Sequence, residues 1–111
     1  MKVLVTGGAG FVGTNLIKRL LKDGHEIVSV DNYSTGKKEN QQDGCVYHDI
    51  DISKTSLLYM DWMKPDIIYH MAARARIQPS IDNPHRTFES NTIGTENILE
   101  YARNENIPVV Y

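Results

Sequence analysis

Apolar residues follow two patterns that alternate along the whole chain. Short, nearly continuous apolar runs are typical of buried strands, and between them apolar residues recur every three or four positions, as on one face of a helix. The runs predict strands at residues 2–6, 26–31, 45–48, 66–70 and 108–111. The helical spacing predicts helices at residues 10–22, 53–63 and 86–104, and Gly24 is expected to end the first of them.

This alternation of strands and helices is typical of α/β proteins, in which right-handed crossovers place helices on both faces of a parallel sheet. The pattern predicts a Rossmann-type, doubly wound parallel sheet with strand order 3-2-1-4-5. A ligand crevice is expected where the order reverses, so that the residues after Thr6 and His70 face each other. The segment 32–44 has no apolar period and predicts a polar loop. No repeat or linker divides the chain, which predicts one domain at residues 1–111.

Composition and charge exclude several functional classes. The 111 residues carry a formal charge of -2, with acidic and basic residues mixed along the chain, so neither nucleic acid nor a membrane is an expected partner. The apolar runs are far shorter than the roughly 20 residues of a membrane-spanning helix. The lone cysteine, Cys45, cannot form an internal disulfide, and no charged leader precedes the first strand. These features predict a soluble, cytoplasmic protein.

The apolar residues at the end of the chain predict an incomplete sheet. Val109, Val110 and Tyr111 would leave a bare apolar edge on a parallel sheet, which complete folded proteins usually cover or charge. We therefore expect the sheet to be truncated after the fifth strand.

The segment between the first strand and the first helix is rich in glycine. It fits both Gly7-x-x-Gly10-x-x-Gly13 and Gly8-x-Gly10-x-x-Gly13. Glycines at this place permit a tight turn, let the backbone approach a pyrophosphate, and let the helix lie close to the strand. The N–H groups at the helix N-terminus attract the anion. The motif therefore predicts a dinucleotide site, and the alternative is a plain glycine-rich turn.

Asp31 closes the second predicted strand, 18 residues beyond Gly13. An acidic residue about 20 residues after the glycines typically binds the adenosine ribose hydroxyls. Asp31 favours NAD over NADP because a carboxylate repels a 2′-phosphate, although Lys37 and Lys38 could offer that phosphate a charge partner. Alternatively, Asp31 begins a turn with Asn32.

Several short motifs, in this order and spacing, resemble the extended short-chain dehydrogenases, and among them the NAD-dependent epimerases and dehydratases that act on UDP-hexoses. The resemblance covers essentially all 111 residues. The segments that carry it are residues 6–13, Asp31-Asn32, Asp49-Ile50, His70-Met71-Ala72-Ala73 and Asn91-x-x-Gly94-Thr95.

The resemblance implies an NAD site assembled from these motifs. The implied roles are the adenosine ribose for Asp31 and Asn32, the pyrophosphate for Phe11 and Val12 beside Gly7, Gly10 and Gly13, the adenine for Asp49 and Ile50, the cofactor's ribose and phosphate for Ala72 and Ala73, the nicotinamide for Asn91, and the sugar nucleotide for Ser80. Asp49 has an alternative role as a turn or cap residue, and Asn91 as an inward amide bonded only to backbone. Arg74 and Arg76, near Ser80, can equally be solvated.

His70 is interpreted as a neutral, hydrogen-bonded residue of the strand end, with a role as acid or base as the alternative. His25, His48 and His85 show no pairing, so no metal site is predicted.

The resemblance places the catalytic residues, a Ser or Thr after the fifth strand and a Tyr-x-x-x-Lys motif beyond it, outside these 111 residues. Tyr111 is not that tyrosine, because it belongs to the fifth predicted strand. We therefore expect the NAD-binding portion of a sugar-nucleotide epimerase or dehydratase, without catalytic residues of its own. Alternatives are a non-catalytic nucleotide-binding module and part of an NAD-dependent carbonyl reductase. The resemblance also implies a homodimer.

Overall fold

The computed structural model describes residues 1–33, 36–54, 64–72 and 93–110. The described residues form five strands and two α-helices, in the order β1 Lys2–Thr6, α1 Phe11–Lys22, β2 Glu26–Asp31, β3 Cys45–Asp49, β4 Ile67–His70, α2 Gly94–Glu105 and β5 Val109–Val110. A 3-10 turn, Lys38–Asn40, lies between β2 and β3. No helix within these ranges is long and apolar enough to span a membrane.

The described strands form one parallel sheet with the order β3-β2-β1-β4-β5. This confirms the predicted Rossmann-type arrangement. β1 lies at the centre and pairs with β2 on one side, Val3 opposite Ile27, and with β4 on the other, Val3 opposite Ile67. The chain leaves β1 toward α1 and β2, and later returns to the opposite side of β1 as β4. The carboxyl ends of β1 and β4 are neighbours, which is the place where the topology predicts a ligand crevice.

Alternate residues of β1 supply two separate cores, one on each face of the sheet. Val3 and Val5 belong to the core shared with α1, whereas Leu4 belongs to the core shared with α2. Ile17 of α1 and Ile98 of α2 are both fully buried. Burying one such side chain contributes about 1.5–3 kcal/mol. The amphipathic spacing seen in the sequence therefore directs each helix onto its own face of the sheet.

Helix α1 begins and ends where glycines permit it. Gly10 is the N-cap, and after the C-cap Asp23 the chain reverses through Gly24, which has a φ of 86°. The backbone N–H of Gly24 donates to the Leu21 carbonyl and that of His25 to the Leu20 carbonyl, at 3.0 and 3.2 Å. A positive φ of this kind is easiest for glycine. Gly24 ends the helix as the sequence predicts.

The other boundaries differ from the sequence-based prediction in small ways. β3 extends one residue further, to Asp49, while β4 begins at Ile67 and β5 at Val109. The predicted loop 32–44 contains the 3-10 turn, which its polar composition gives no sign of. Of the helix predicted at 53–63, the first two residues form a turn and the rest lie outside the described residues. The helix predicted at 86–104 is described from Gly94, and residues 86–92 lie outside the described part.

Candidate functional site

The loops that follow β1 and β4 meet at their backbones. The N–H of Met71 donates to the Thr6 carbonyl at 3.0 Å, and the N–H of Ala72 donates to Thr6 Oγ1 at 3.1 Å. Gly7 has a φ of 71°, and a Cβ atom there would lie 2.8 Å from the Ala72 Cα. Only glycine fits both the left-handed backbone and this close approach. Gly7 and Ala72, both predicted site residues, therefore lie in direct contact at the carboxyl ends of β1 and β4.

The other three glycines of the loop, Gly8, Gly10 and Gly13, differ in whether the structure around them requires a glycine. A Cβ atom at Gly13 would lie 2.2 Å from the Gly7 carbonyl oxygen, so this glycine lets α1 approach the loop. A Cβ atom at Gly8 would lie 1.9 Å from Ser29 Oγ on β2. At Gly10, the φ of -80° is open to any residue, and a Cβ would meet only the Gly7 carbonyl oxygen among the described atoms, at 3.4 Å. Internal packing therefore explains Gly8 and Gly13, whereas at Gly10 no described residue fills the space above the loop.

The N-terminal end of α1 borders this free space. Gly10 offers no side-chain acceptor to the N–H groups of the first turn, which also contains no acidic residue. Phe11 and Val12 are 84% and 60% exposed, although both are apolar. Orphan N–H groups and the helix dipole make such an end attractive to an anion. The arrangement can hold a pyrophosphate against the loop backbone, with the two apolar side chains beside it.

Asp31, at the end of β2, places its carboxylate against the glycine loop. It is 8% exposed, and its two oxygens accept from different backbone groups. Oδ2 accepts from the Ala9 N–H at 3.0 Å and Oδ1 from the Tyr33 N–H at 2.8 Å. Tyr33 adopts a left-handed backbone with a φ of 58°. The carboxylate is thereby fixed between the glycine loop and the start of the next loop, and each oxygen has a remaining lone pair for a hydroxyl donor.

The end of β3 lies beside Asp31. Asp49 is opposite Asp31 in the register, and it is exposed, while the Ile50 N–H donates to the Asp31 carbonyl at 3.2 Å. Ile50 is half-buried against the α2-side core. Next to them, burial raises the pKa of Asp51, but hydrogen bonds from Ser53 and Asn32 outweigh it and leave the pKa below its usual value. The predicted ribose and adenine residues therefore converge on one edge of the sheet.

His70 ends β4 in a buried hydrogen-bonded chain. Its Nδ1 lies 2.7 Å from Thr6 Oγ1 and its Nε2 lies 2.8 Å from Thr95 Oγ1 on α2. Burial lowers the pKa of the imidazole, because the charged form is poorly solvated there. Both ring nitrogens have partners, which confirms that His70 is a hydrogen-bonded residue of the strand end, and the lowered pKa favours its neutral form. It joins β1, β4 and α2 at the crevice.

Lowering the pH below about 6.5, the ordinary pKa of histidine, is expected to destabilise the protein through His70. Because its pKa is lowered in the folded state, the unfolded chain binds more protons between the folded-state pKa and 6.5. The contribution of His70 is complete above pH 6.5 and declines as the pH falls toward the lowered value. Urea unfolding of the wild type and of His70→Asn from pH 8 to pH 5 measures it, since the two proteins differ in this residue alone. A pH-independent difference between the two curves contradicts this prediction.

Not all predicted residues fall in the described part of the chain. Ala73, Ser80 and Asn91, together with Arg74 and Arg76, lie outside it, so their predicted roles stay predictions. Conversely, sequence reasoning missed three residues that shape the crevice: Thr6, Gly36 and Asn40. A lone glycine in a polar loop is a sign of close backbone approach and could have drawn attention to Gly36. No periodicity or motif distinguishes Asn40.

A parallel sheet with a glycine-rich turn after β1 and a carboxylate at the end of β2 defines a dinucleotide-binding Rossmann fold. Residues 3–111 match the NAD dependent epimerase/dehydratase family, and the chain belongs to this family. The family predicted from the sequence is thus confirmed.

Several proteins that resemble this chain carry the names of nucleotide-sugar enzymes. The chain is 38% identical over 102 residues to UDP-glucuronic acid decarboxylase 1 of Danio rerio, covering 92% of this chain and 24% of the relative. It is 36% identical over 109 residues to UDP-glucose 4-epimerase of Mycolicibacterium smegmatis, covering 93% and 35% of the two chains. The crystal structure of Thermus thermophilus UDP-glucose 4-epimerase in complex with NAD matches with a TM-score of 0.91 at 35% identity, over 100% of this chain and 37% of that one. The chain thus spans about a quarter to somewhat over a third of the length of these proteins.

Proposed function

We propose that this chain binds NAD and forms the cofactor-binding part of a nucleotide-sugar epimerase or dehydratase of the UDP-hexose 4-epimerase kind. The observation that carries the proposal is the free space at Gly10, a glycine that neither its backbone angles nor its described neighbours require. A ligand that lies directly against the loop backbone explains it. The exposed N-terminal end of α1 attracts anions, so this ligand is expected to carry an anionic group.

The crevice has a group for each part of an NAD molecule. The pyrophosphate would lie against Gly7, Gly10 and Gly13, at the backbone of Phe11 and Val12. The ribose hydroxyls of the adenosine would donate to Asp31, beside Asn32, and the adenine would lie between Asp49 and Ile50. On the other side of the crevice, Ala72 and Ala73 would border the cofactor, Asn91 the nicotinamide and Ser80 the sugar nucleotide.

The surroundings of Asp31 support NAD rather than NADP. Its carboxylate is nearly buried and held by two backbone donors, so it cannot swing away from a 2′-phosphate. Lys38, one of the two cations that could offset that phosphate, places its Nζ 5.4 Å from the centre of the Tyr33 ring. Placing two anions together in a poorly solvated crevice is unfavourable.

Bound NAD supplies the hydride acceptor of the reaction. The residues of this chain would orient that cofactor: the glycine loop fixes the pyrophosphate, Asp31 fixes the adenosine, and the small Ala72 leaves the crevice open beside Gly7. In this proposal the proton transfer from the sugar hydroxyl belongs to the Ser or Thr and the Tyr-x-x-x-Lys motif that the family resemblance places outside these 111 residues.

The proposal also includes a location in the reducing cytoplasm and the formation of a homodimer. Burial raises the pKa of the Cys45 thiol to about 11, despite a hydrogen bond with Tyr47 that lowers it, so the thiol stays protonated and unreactive. A lone, inert cysteine fits the cytoplasm. The homodimer rests on the family resemblance. Mixed surface charge supports neither nucleic acid nor a membrane as a partner.

Thermal unfolding with and without millimolar NAD tests the cofactor site. At a concentration 100 times the Kd, ligand binding adds about 2.7 kcal/mol of stability, so NAD should raise the Tm by several degrees and NADP by much less. Gly10→Ala should keep the Tm of the free protein, because its methyl group has room, and should lose the response to NAD. A folded wild type that does not respond to NAD refutes the proposal.

A further inference from the structure

The segment after β2 folds back onto the glycine loop. A Cβ atom at Gly36 would lie 2.8 Å from Asp31 Oδ2 and 2.9 Å from the Ala9 carbonyl carbon, so this part of the chain touches both. The Lys37 N–H donates to the Ala9 carbonyl oxygen at 3.2 Å, and Asn40 Nδ2 donates to the same oxygen at 2.9 Å. Two donors from one short segment therefore meet at a single carbonyl group of the loop.

All hydrogen-bonding groups of Ala9 are thereby used inside the protein. Ala9 is fully buried, and its N–H donates to the Asp31 carboxylate. The peptide group that joins Ala9 to Gly10 is held at both ends, since the Gly10 N–H donates to the Gly7 carbonyl at 3.1 Å. This peptide comes immediately before the first turn of α1. Its orientation sets where the N–H groups of that turn point.

Asn40 is itself held firmly at the end of the 3-10 turn. Its backbone N–H donates to the Lys37 carbonyl at 3.0 Å, and its own carbonyl accepts from Gln42 Nε2 at 2.8 Å. The Gln42 N–H in turn donates to the Tyr47 hydroxyl of β3 at 2.9 Å. The carboxamide of Asn40 is half-buried and directed at Ala9. Through these hydrogen bonds Asn40 connects the β3 side of the sheet to the glycine loop.

The Ala9 carbonyl is the group that an anion at the loop would need to avoid. If the Ala9–Gly10 peptide rotated, this oxygen would lose its bond to Asn40, and a carbonyl oxygen turned toward a bound pyrophosphate would repel it. The two donors hold the oxygen toward the segment after β2 and compensate its partial charge.

We propose that Asn40 is a positioning residue for the pyrophosphate, which it serves by fixing the Ala9–Gly10 peptide without touching the ligand. The inference rests on the proposed dinucleotide function of the loop. It distinguishes the phosphate part of the site from the nucleoside part. Replacing Asn40 should weaken the binding of ligands that carry a pyrophosphate. It should leave the affinity for adenosine unchanged, because the proposed contacts of adenosine are with Asp31 and the end of β3.

Titration calorimetry of ADP and of adenosine with three variants tests this. Asn40→Ala removes the carboxamide, and Asn40→Leu keeps its approximate shape without a donor. If one of these variants fails to fold, the other can still be measured. Asn104→Ala is the matched control, because Asn104 Nδ2 likewise donates to a backbone carbonyl, that of Glu100, at 2.8 Å on the exposed end of α2. Both Asn40 variants should weaken ADP about three- to tenfold, the range that one hydrogen bond contributes. Adenosine should bind equally to all variants, and Asn104→Ala should match the wild type with both ligands.

The outcomes separate this role from a general structural one. Equal losses for ADP and adenosine mean that Asn40 only stabilises the fold, and unchanged ADP binding means that Ala9 keeps its position without it; either result overturns the inference. A wild type that binds neither ADP nor NAD instead refutes the proposed function, and the inference falls with it. A near-wild-type Tm of the Asn40 variants, together with the selective loss of ADP, supports it.

Discussion

Gly13→Ala is expected to lower the free energy of unfolding by about 3 kcal/mol, the upper part of the range for overpacked positions. In an exposed helix the same change would stabilise by up to about 1 kcal/mol, because alanine favours the helix. Here the added methyl group would lie 2.2 Å from the Gly7 carbonyl oxygen and 2.8 Å from the Gly8 Cα. Both are backbone atoms that cannot rotate away, so the steric term outweighs the helix propensity. A domain with a total stability of 5–15 kcal/mol would lose a large fraction of it.

Urea unfolding followed by far-UV circular dichroism measures this loss, and Gly10→Ala is the matched control. The two substitutions are identical and lie three residues apart, but the methyl group at Gly10 meets an ordinary contact of 3.4 Å. Gly10→Ala should therefore unfold at nearly the wild-type urea concentration. Equal midpoints for Gly13→Ala and the wild type would show that α1 can move away from the loop, contrary to the packing described above.

Asp31→Asn is expected to weaken both the fold and NAD binding. The two carboxylate oxygens accept from the N–H groups of Ala9 and Tyr33, so an amide must direct its NH₂ group at one of these donors. Losing a buried hydrogen bond to a charged acceptor costs about 1.5–3 kcal/mol. The ribose also loses an ionised acceptor, which should raise the Kd for NAD about tenfold if about 1.4 kcal/mol is lost. Discrimination against NADP should fall, because the repelling charge is gone.

Paired urea and calorimetric titrations measure both effects, with Asp66→Asn as the control. Asp66 Oδ2 also accepts from a backbone N–H, that of Lys2, at 2.8 Å, but Asp66 is exposed and lies at the opposite end of the sheet. Water can replace that bond, so the change should be small in stability and absent in NAD affinity. If Asp31→Asn behaves like Asp66→Asn in both measurements, the assigned role of Asp31 is wrong.

The sequence predicted the β1–α1–β2 unit and its glycine loop well, because local signals dominate there. Apolar runs define the strands, Gly24 ends the helix, and the positions of Gly7 and Gly13 follow from geometry that every such turn shares. The strand order also followed, since alternating strands and helices allow few chain paths. The features of the β1–α1–β2 unit depend on residues that are close together in the sequence, and the strand order depends on the alternation of elements.

The supporting contacts could not be predicted, because they join residues that are distant in the sequence. Asn40 reaches Ala9 across 31 positions, and His70 reaches Thr95 across 25. Neither contact leaves a periodic trace, and the 3-10 turn that places Asn40 is too short and polar to show a pattern. Tyr33 adopts its left-handed backbone although residues other than glycine seldom do so. Its N–H bond to the Asp31 carboxylate is one contact that accompanies this conformation, and it becomes visible only in the folded protein.

The two cores that share β1 restrict how the length of this strand can vary. Val3 and Val5 face α1 while Leu4 faces α2, and Thr6 and Gly7 follow directly at the crevice. Because neighbouring residues of a strand face opposite sides, inserting or deleting one residue would exchange the contents of both cores. The same change would move the glycine loop out of line with Ala72 and Asp31. Changes of chain length are therefore far better tolerated in the loops than in β1, because a shift of one position in β1 alters both cores and the glycine loop at the same time.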